Sequence, residues 1–260
     1  MKIDINSDLG EAFGPYAIAD DEGLMGVITS ANVACGYHAG DPVVMDRTIR
    51  LAKEHGVDLG AHVGYPDRMG FGRRHMQMDL AELEKHVLYQ LGALDGLARP
   101  VGHRITHMNP HGALGNLACA DRAVADALVR ATAAFDPDIA LLVLTGTQLE
   151  TAAREAGTPT VNLFLADRAY TADGQLAPRS LPGAIITNEA DVYARVTRLL
   201  RDGTVLTIDG QVLSVEVQSI LVHSDTPHSL AVARGIKTAI EAMDGQVVPL
   251  SRQLAERAAR

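Results

Sequence analysis

Tryptophan is absent from the 260-residue sequence, and aromatic residues of every kind make up only 4% of it. That poverty argues against an aromatic platform for stacked bases, and it leaves any core to be filled by Ala, Val, Leu and Ile. Positive charge is scarce as well. The 23 Lys and Arg against 32 Asp and Glu leave a formal net charge of -9, with no basic footprint for a phosphate backbone, so nucleic acid is not expected as a partner. Cysteine is reduced to Cys35 and Cys119, far apart and in no CxxC arrangement. No disulfide framework is expected, because a chain of this length can bury a core without one. Long hydrophobic runs are missing too: the strongest, Ile139 to Leu144, is far too short to span a bilayer. The opening segment carries Asp4, Asp8 and Glu11 where a secretory signal would need its apolar stretch. A soluble, cytoplasmic protein with no membrane partner is the expectation.

What is present is an alternation of short aliphatic or β-branched runs with longer amphipathic stretches. The runs Ile3 to Asn6, Ser30 to Ala34, Val57 to Ala61, Arg104 to His107, Ile139 to Leu144, Thr160 to Leu165 and Val215 to Val222 read as strands. Between most of them the spacing predicts helices over Pro42 to His55, Leu80 to Ala98, Arg122 to Phe135, Thr147 to Ala156, Glu189 to Arg201 and Leu230 to Met243. In the first of these Asp41 reads as the N-cap, Pro42 as the first helical position and Gly56 as the stop. Strands separated by helices argue for a parallel sheet, open or closed into a barrel. Asp209-Gly210 predicts a hairpin near 205–214, and Asp173-Gly174 a turn in a polar segment that runs to Pro182. No linker, low-complexity tract or repeat divides the chain, which reads as one domain over 1–260.

Asp or His follows many of the predicted strands: Asp8, His38, His62, His111, Asp167 and His223 with Asp225. In parallel α/β folds the carboxyl ends of the strands share one face, so these residues would converge there. Each also has a plainer reading. Asp8 beside Asn6 and Ser7 could form a turn, and His38 precedes the cap of a helix whose N-terminus favours an anion. Gly60 and Gly64 around His62 permit the close backbone approach that a ligand site needs, yet glycine also simply ends strands. His103, His107 and His111 have helical ligand spacing, but Ile105 and Thr106 favour a strand and Pro110 forbids the helix, so His103 and His107 read as structural or surface residues. Asp167-Arg168 could be a surface ion pair or a fork for a carboxylate; Arg73 and Arg74 are a second such candidate. Asp8, His38, His62, His111 and His223 could hold a divalent ion such as zinc or manganese, or could act as a metal-free acid and base set. No GxxxxGK(S/T) loop, strand-linked GxGxxG, GxSxG elbow or HExxH motif occurs, so no nucleotide cradle or serine nucleophile is recognisable.

The segments DINSDLGE (4–11), SANVACGYHAGD (30–41), GAHVGYPDRMGFGRR (60–74), PHGAL (110–114), ADRAYTADGQLAPRSLPGA (166–184) and LVHSD (221–225) together resemble the LamB/YcsF family, from the first residues to about Arg234. The resemblance implies a seven-stranded β/α, TIM-like barrel of the glycoside hydrolase/deacetylase type. It also implies a role in the ATP-dependent opening of 5-oxo-L-proline to L-glutamate, with partner subunits B and C and ATP as co-substrate. Carried over by position, Asp8, His38, His62, His111 and His223 would be catalytic, with Asp8, His38, His62 and His111 able to hold a metal. Glu11, Asp41, Asp167 and Arg168 would bind substrate, Arg168 through the substrate's carboxylate.

Several positions depart from the family's usual pattern. Asn109 replaces a lysine, Gly115 a tyrosine and Ser224 a glycine, and Leu163 and Leu165 give an apolar approach where an acidic residue is common. The lost lysine removes a point charge that could steady an oxyanion or a phosphorylated intermediate. Three readings follow: a catalytic subunit of the ATP-dependent enzyme, a metal-dependent hydrolase of another lactam or N-acyl substrate without ATP, and a non-catalytic substrate-binding or assembly subunit.

Overall fold

The computed structural model describes residues 1–259. Its strands are β1 (Lys2–Leu9), β2 (Ser30–Ala34), β3 (Asp58–Val63), β4 (Ile105–Pro110), β5 (Ala140–Val143), β6 (Thr160–Leu165), β7 (Thr204–Leu206), β8 (Val212–Ser214), β9 (Ser219–Val222) and β10 (Gln246–Val247). The helices are α1 (Asp21–Met25), α2 (Pro42–His55), α3 (Leu80–Ala98), α4 (Gly112–Ala120), α5 (Arg122–Phe135), α6 (Gln148–Glu155), α7 (Glu189–Asp202), α8 (Ser229–Glu241) and α9 (Leu250–Ala258).

Strands β1 to β6 and β9 pair in parallel in that order, and β9 returns to pair with β1, which closes a seven-stranded barrel ringed by helices. β7 and β8 form a separate antiparallel hairpin around Asp209-Gly210. β10, α1, α4 and α9 are additions to the expected pattern. β10 is two residues that extend the foot of β1, and α4 begins with Gly112 and contains Gly115, a composition that lowers helical propensity.

Local sequence explains most helix ends. The Asp41 carboxylate accepts from the Val43 and Val44 N–H groups, Pro42 opens α2, and Gly56 closes it in the left-handed region at φ 66°. Asp79, Asp121 and Asn188 cap α3, α5 and α7 in the same way.

The core between strands and helices is aliphatic, as the lack of aromatics requires. The barrel interior is not wholly so. β1 is buried on both faces, and its alternation turns Asp4, Asn6 and Asp8 to one side. Asp4 accepts from Ser30 and Thr29 at 2.6 and 2.7 Å and from Ser219, while Asn6 meets Asn32 and His107 of β4 reaches Asn32 across the barrel. One half of the interior is therefore a polar ladder. Among the described residues no helix is long and apolar enough to cross a membrane.

Candidate functional site

The ladder ends at the carboxyl face of the barrel in a cavity of about 200 Å³. One wall carries Asp8, His62, His111 and His223; the other is built from Leu142, Leu144, Leu163, Leu165 and Leu221. Each polar side chain is delivered by a strand end: Asp8 by β1, His62 by β3, His111 just after β4 as the N-cap residue of α4, and His223 just after β9. Residues separated by more than two hundred positions thus meet because parallel strands all point their carboxyl ends one way.

Glu11 sits at the centre of the histidines. Its Oε1 lies 3.1 Å from His38 Nε2, 3.9 Å from His62 Nε2 and 3.8 Å from His111 Nδ1, and all four side chains are buried. His38 stacks on His111 with ring centroids 3.7 Å apart. His62 Nδ1 is 3.0 Å from the Asn109 carbonyl and His111 Nε2 is 2.7 Å from the Phe71 carbonyl. A carbonyl oxygen only accepts, so both of those nitrogens carry hydrogen and donate. The remaining nitrogens, His62 Nε2 and His111 Nδ1, then face each other at 2.8 Å with lone pairs if both rings are neutral. A proton on one of the two nitrogens, or a metal ion held by both, would relieve that opposition. Glu11, His38, His62 and His111 could hold a metal. Of the expected set of Asp8, His38, His62 and His111, the three histidines converge on Glu11, and Asp8 stands beside them, 3.4 Å from His62 Nε2.

The two carboxylates are driven apart in charge. Burial opposes ionisation of Asp8, but His62, His223 and the Asn32 amide outweigh it and hold the carboxyl well below its usual range. Burial, and then the Asp8 charge, pushes Glu11 up to about 8. His62 is raised, since Asp8 and Glu11 overcome the burial that would lower it. His38 and His111 are driven down by burial and by neighbouring histidines. His223 is likewise raised: burial works against its charge, but Asp167, 2.8 Å from Nδ1, prevails.

Several expected site residues are engaged by other protein groups. Asp167 is wholly buried behind His223 and also accepts from Thr226, so it orients the ring rather than facing the cavity. Asp41 is occupied as the cap of α2 and accepts from Gly14 N–H at 2.7 Å, outside the cavity wall. Arg168 borders the cavity, but its fork donates to the Ala184 and Ala177 carbonyls at 3.2 and 2.7 Å and folds the 166–188 loop back on itself. Gly60 and Gly64 make room for protein side chains rather than a ligand: a Cβ on Gly60 would overlap the His107 ring, and one on Gly64 would lie 2.8 Å from His38 Nδ1.

Sequence reasoning missed Asn32 and the use of His107. Asn32 Nδ2 donates to Asp8 Oδ1 at 2.8 Å, His107 Nε2 donates to Asn32 Oδ1 at 3.0 Å, and Thr106 Oγ1 lies 2.9 Å from His107 Nδ1. Burial pushes the His107 pKa down to about 3, so the ring is neutral and the donors run one way, His107 to Asn32 to Asp8; the Thr106 hydroxyl donates to the Leu59 carbonyl at 3.1 Å. The alternation Asp4, Asn6, Asp8 was the available signal. His103 is half-buried and bonds the Val57 carbonyl, a structural role.

Comparison with known proteins adds four findings. The LamB/YcsF family model matches residues 3–255. The chain is 55% identical to a protein of Ralstonia nicotianae named as a 5-oxoprolinase A-type subunit, over 98% of each chain. It superposes on the crystal structure of the lactam utilization protein from Thermus thermophilus with a TM-score of 0.89 at 42% identity, covering 95% of this chain and 99% of that one. A likeness to a family 4 carbohydrate esterase from Streptomyces lividans, TM-score 0.52 at 14% identity over 96% of this chain and 93% of the other, shows the barrel fold alone.

Proposed function

The chain belongs to the LamB/YcsF family, and on that premise we propose that it is one component of a multisubunit, ATP-dependent 5-oxoprolinase that works in the cytoplasm. The reaction opens the lactam of 5-oxo-L-proline to L-glutamate as ATP goes to ADP and phosphate, with partner subunits B and C. The near-full-length relative named for that activity carries the reading; a cavity that opposes an ionised Asp8 to a His223–Asp167 pair supports it.

A five-membered lactam is a poor electrophile, so phosphorylation of its amide oxygen is needed to make the ring carbon attackable. The sequence holds no recognisable nucleotide cradle, and that step falls to the assembly. Water then adds to the ring carbon, the C–N bond breaks with its electron pair and a proton going to nitrogen, and hydrolysis of the acyl phosphate releases phosphate and glutamate. In this chain Asp8 and His62 orient the water. His223, kept protonated by Asp167, supplies the proton to nitrogen. Four converging buried donors and the facing His62 and His111 nitrogens fit a divalent metal at Glu11, His38, His62 and His111. Such an ion would supply Lewis acidity and a more acidic bound water.

The same donor group favours one second reading, a metal-dependent hydrolase of another lactam or an N-acyl substrate without ATP. The two are separated by supplying 5-oxoproline and ATP to the chain with and without its partner subunits and measuring glutamate, phosphate and metal content. Glutamate from the full assembly alone is the expected result, and Asp8→Ala or His62→Ala should abolish it with the circular dichroism spectrum unchanged. Turnover by the isolated chain without ATP would select the second reading. Near-normal activity in the variants would remove both residues from the mechanism.

A further inference from the structure

Three guanidinium groups, Arg73, Arg168 and Arg179, line the cavity against a single carboxylate, Asp8. Their commitments differ. Arg73 Nη2 donates to Asp225 at 2.6 Å, and its guanidinium lies over the Phe71 ring. Arg168 holds the Ala177 and Ala184 carbonyls and is almost wholly buried. Arg179 is part-buried and forms no hydrogen bond or ion pair among the described residues; its guanidinium feels Arg73 as a like charge and Asp225, Asp167 and Asp8 only at a distance. A part-desolvated cation with no partner, facing a cavity beside a second cation, is a site for an anion. The first turn of α4, through Gly112 and Ala113, lines the same cavity and adds its positive end.

We propose that Arg179 anchors the carboxylate of the substrate, with Arg168 serving as the buttress that folds the 166–188 loop and so presents Arg179 to the cavity. The proposal rests on the lactam reading above for the identity of the ligand, though not for the existence of an anion site. The wall of Leu142, Leu163 and Leu221 opposite the polar side suits the ring methylenes of such a ligand, leaving the carboxylate for the arginine.

Isothermal titration of the intact chain with 5-oxoproline, with 2-pyrrolidinone, which lacks the carboxylate, and with inorganic phosphate tests it. Wild type should bind 5-oxoproline more tightly than 2-pyrrolidinone. Arg179→Met should weaken 5-oxoproline by roughly tenfold to a hundredfold and leave 2-pyrrolidinone unchanged; Arg179→Lys should recover part of the loss. Equal affinity of Arg179→Met and wild type for 5-oxoproline would overturn the proposal. Phosphate binding more tightly than 5-oxoproline and lost in Arg179→Met would overturn the carboxylate assignment in favour of a phosphoryl site. If wild type ignores 5-oxoproline but binds the carboxylate of another cyclic amide through Arg179, the anion site stands and the 5-oxoprolinase reading fails.

Discussion

At the scale of single residues, Asp8 and Glu11 are three positions apart and are shifted in opposite directions in the same site. Burial opposes the charge of both, but Asp8 faces two raised histidines and an amide donor that hold it low, whereas burial, and then the Asp8 charge, pushes Glu11 up to about 8. Environments that separate two carboxylates in this way commonly mark divided acid and base roles. Asn32 adds to the hold on Asp8: its amide points its NH₂ at Asp8 because His107 donates to its carbonyl oxygen. Asn32→Ala is expected to lower kcat/KM by roughly tenfold to a hundredfold, the usual effect of losing a group that orients a reacting one. His107→Gln, which keeps a donor near Asn32, should lose less than His107→Ala. Equal losses in the two would show that His107 only fills space.

At the scale of elements, β1 carries more than its share. Its outward positions Ile3, Ile5 and Leu9 pack into the core while Asp4, Asn6 and Asp8 climb the interior. Asp4 ties β1 to both neighbours, Ser30 of β2 and Ser219 of β9, at the seam where the barrel closes. Burial lifts its pKa to about 7 despite those hydroxyl donors. The folded form therefore holds a proton that the unfolded chain releases near 3.8. Stability from this group is full below about 3.8 and declines as the pH rises to about 7, by at most roughly 1.4 kcal/mol per pH unit. Asp4→Asn, which can satisfy the same rotatable hydroxyls, should remove that slope. Urea unfolding of both proteins between pH 4 and 8 checks it, and parallel curves would sink the assignment.

Legibility at this scale followed the strength of the local signal. α2, α3 and α5 were readable to the residue because Asp caps and amphipathic spacing mark them. α4 was not, because its glycines serve tertiary contacts: a Cβ on Gly112 would sit 2.7 Å from the Gly72 carbonyl, and one on Gly115 would lie 2.5 Å from that of Pro110.

At the scale of the whole molecule, a net charge of -9 coexists with a cavity lined by three arginines. Net charge averages over a surface, whereas binding responds to the few groups that share a desolvated space. The Glu11, His38, His62 and His111 group also belongs to this scale, since it joins the ends of four consecutive barrel strands. A metal held there would tie those ends together and stabilise the folded state by mass action. Zinc or manganese is expected to raise the melting temperature in a concentration-dependent way, reversed by chelator, and His111→Ala should abolish the shift. An unchanged melting temperature in wild type at millimolar metal would leave a proton, not a metal, between His62 and His111.

The sequence by itself determined the alternation of strands and helices, the helix caps and the strand-end positions of Asp8, His38, His62, His111 and His223. These depend on neighbours a few residues away or on motif spacing, and so survive without a fold. Tertiary structure alone decided that Glu11 lies among His38, His62 and His111, that Arg168 is committed to carbonyls while Arg179 is free among the described residues, and that His107 reaches Asn32 through the gap left by Gly60. Each of those outcomes turns on contacts across the barrel, between atoms of strands or loops that sequence order does not bring together.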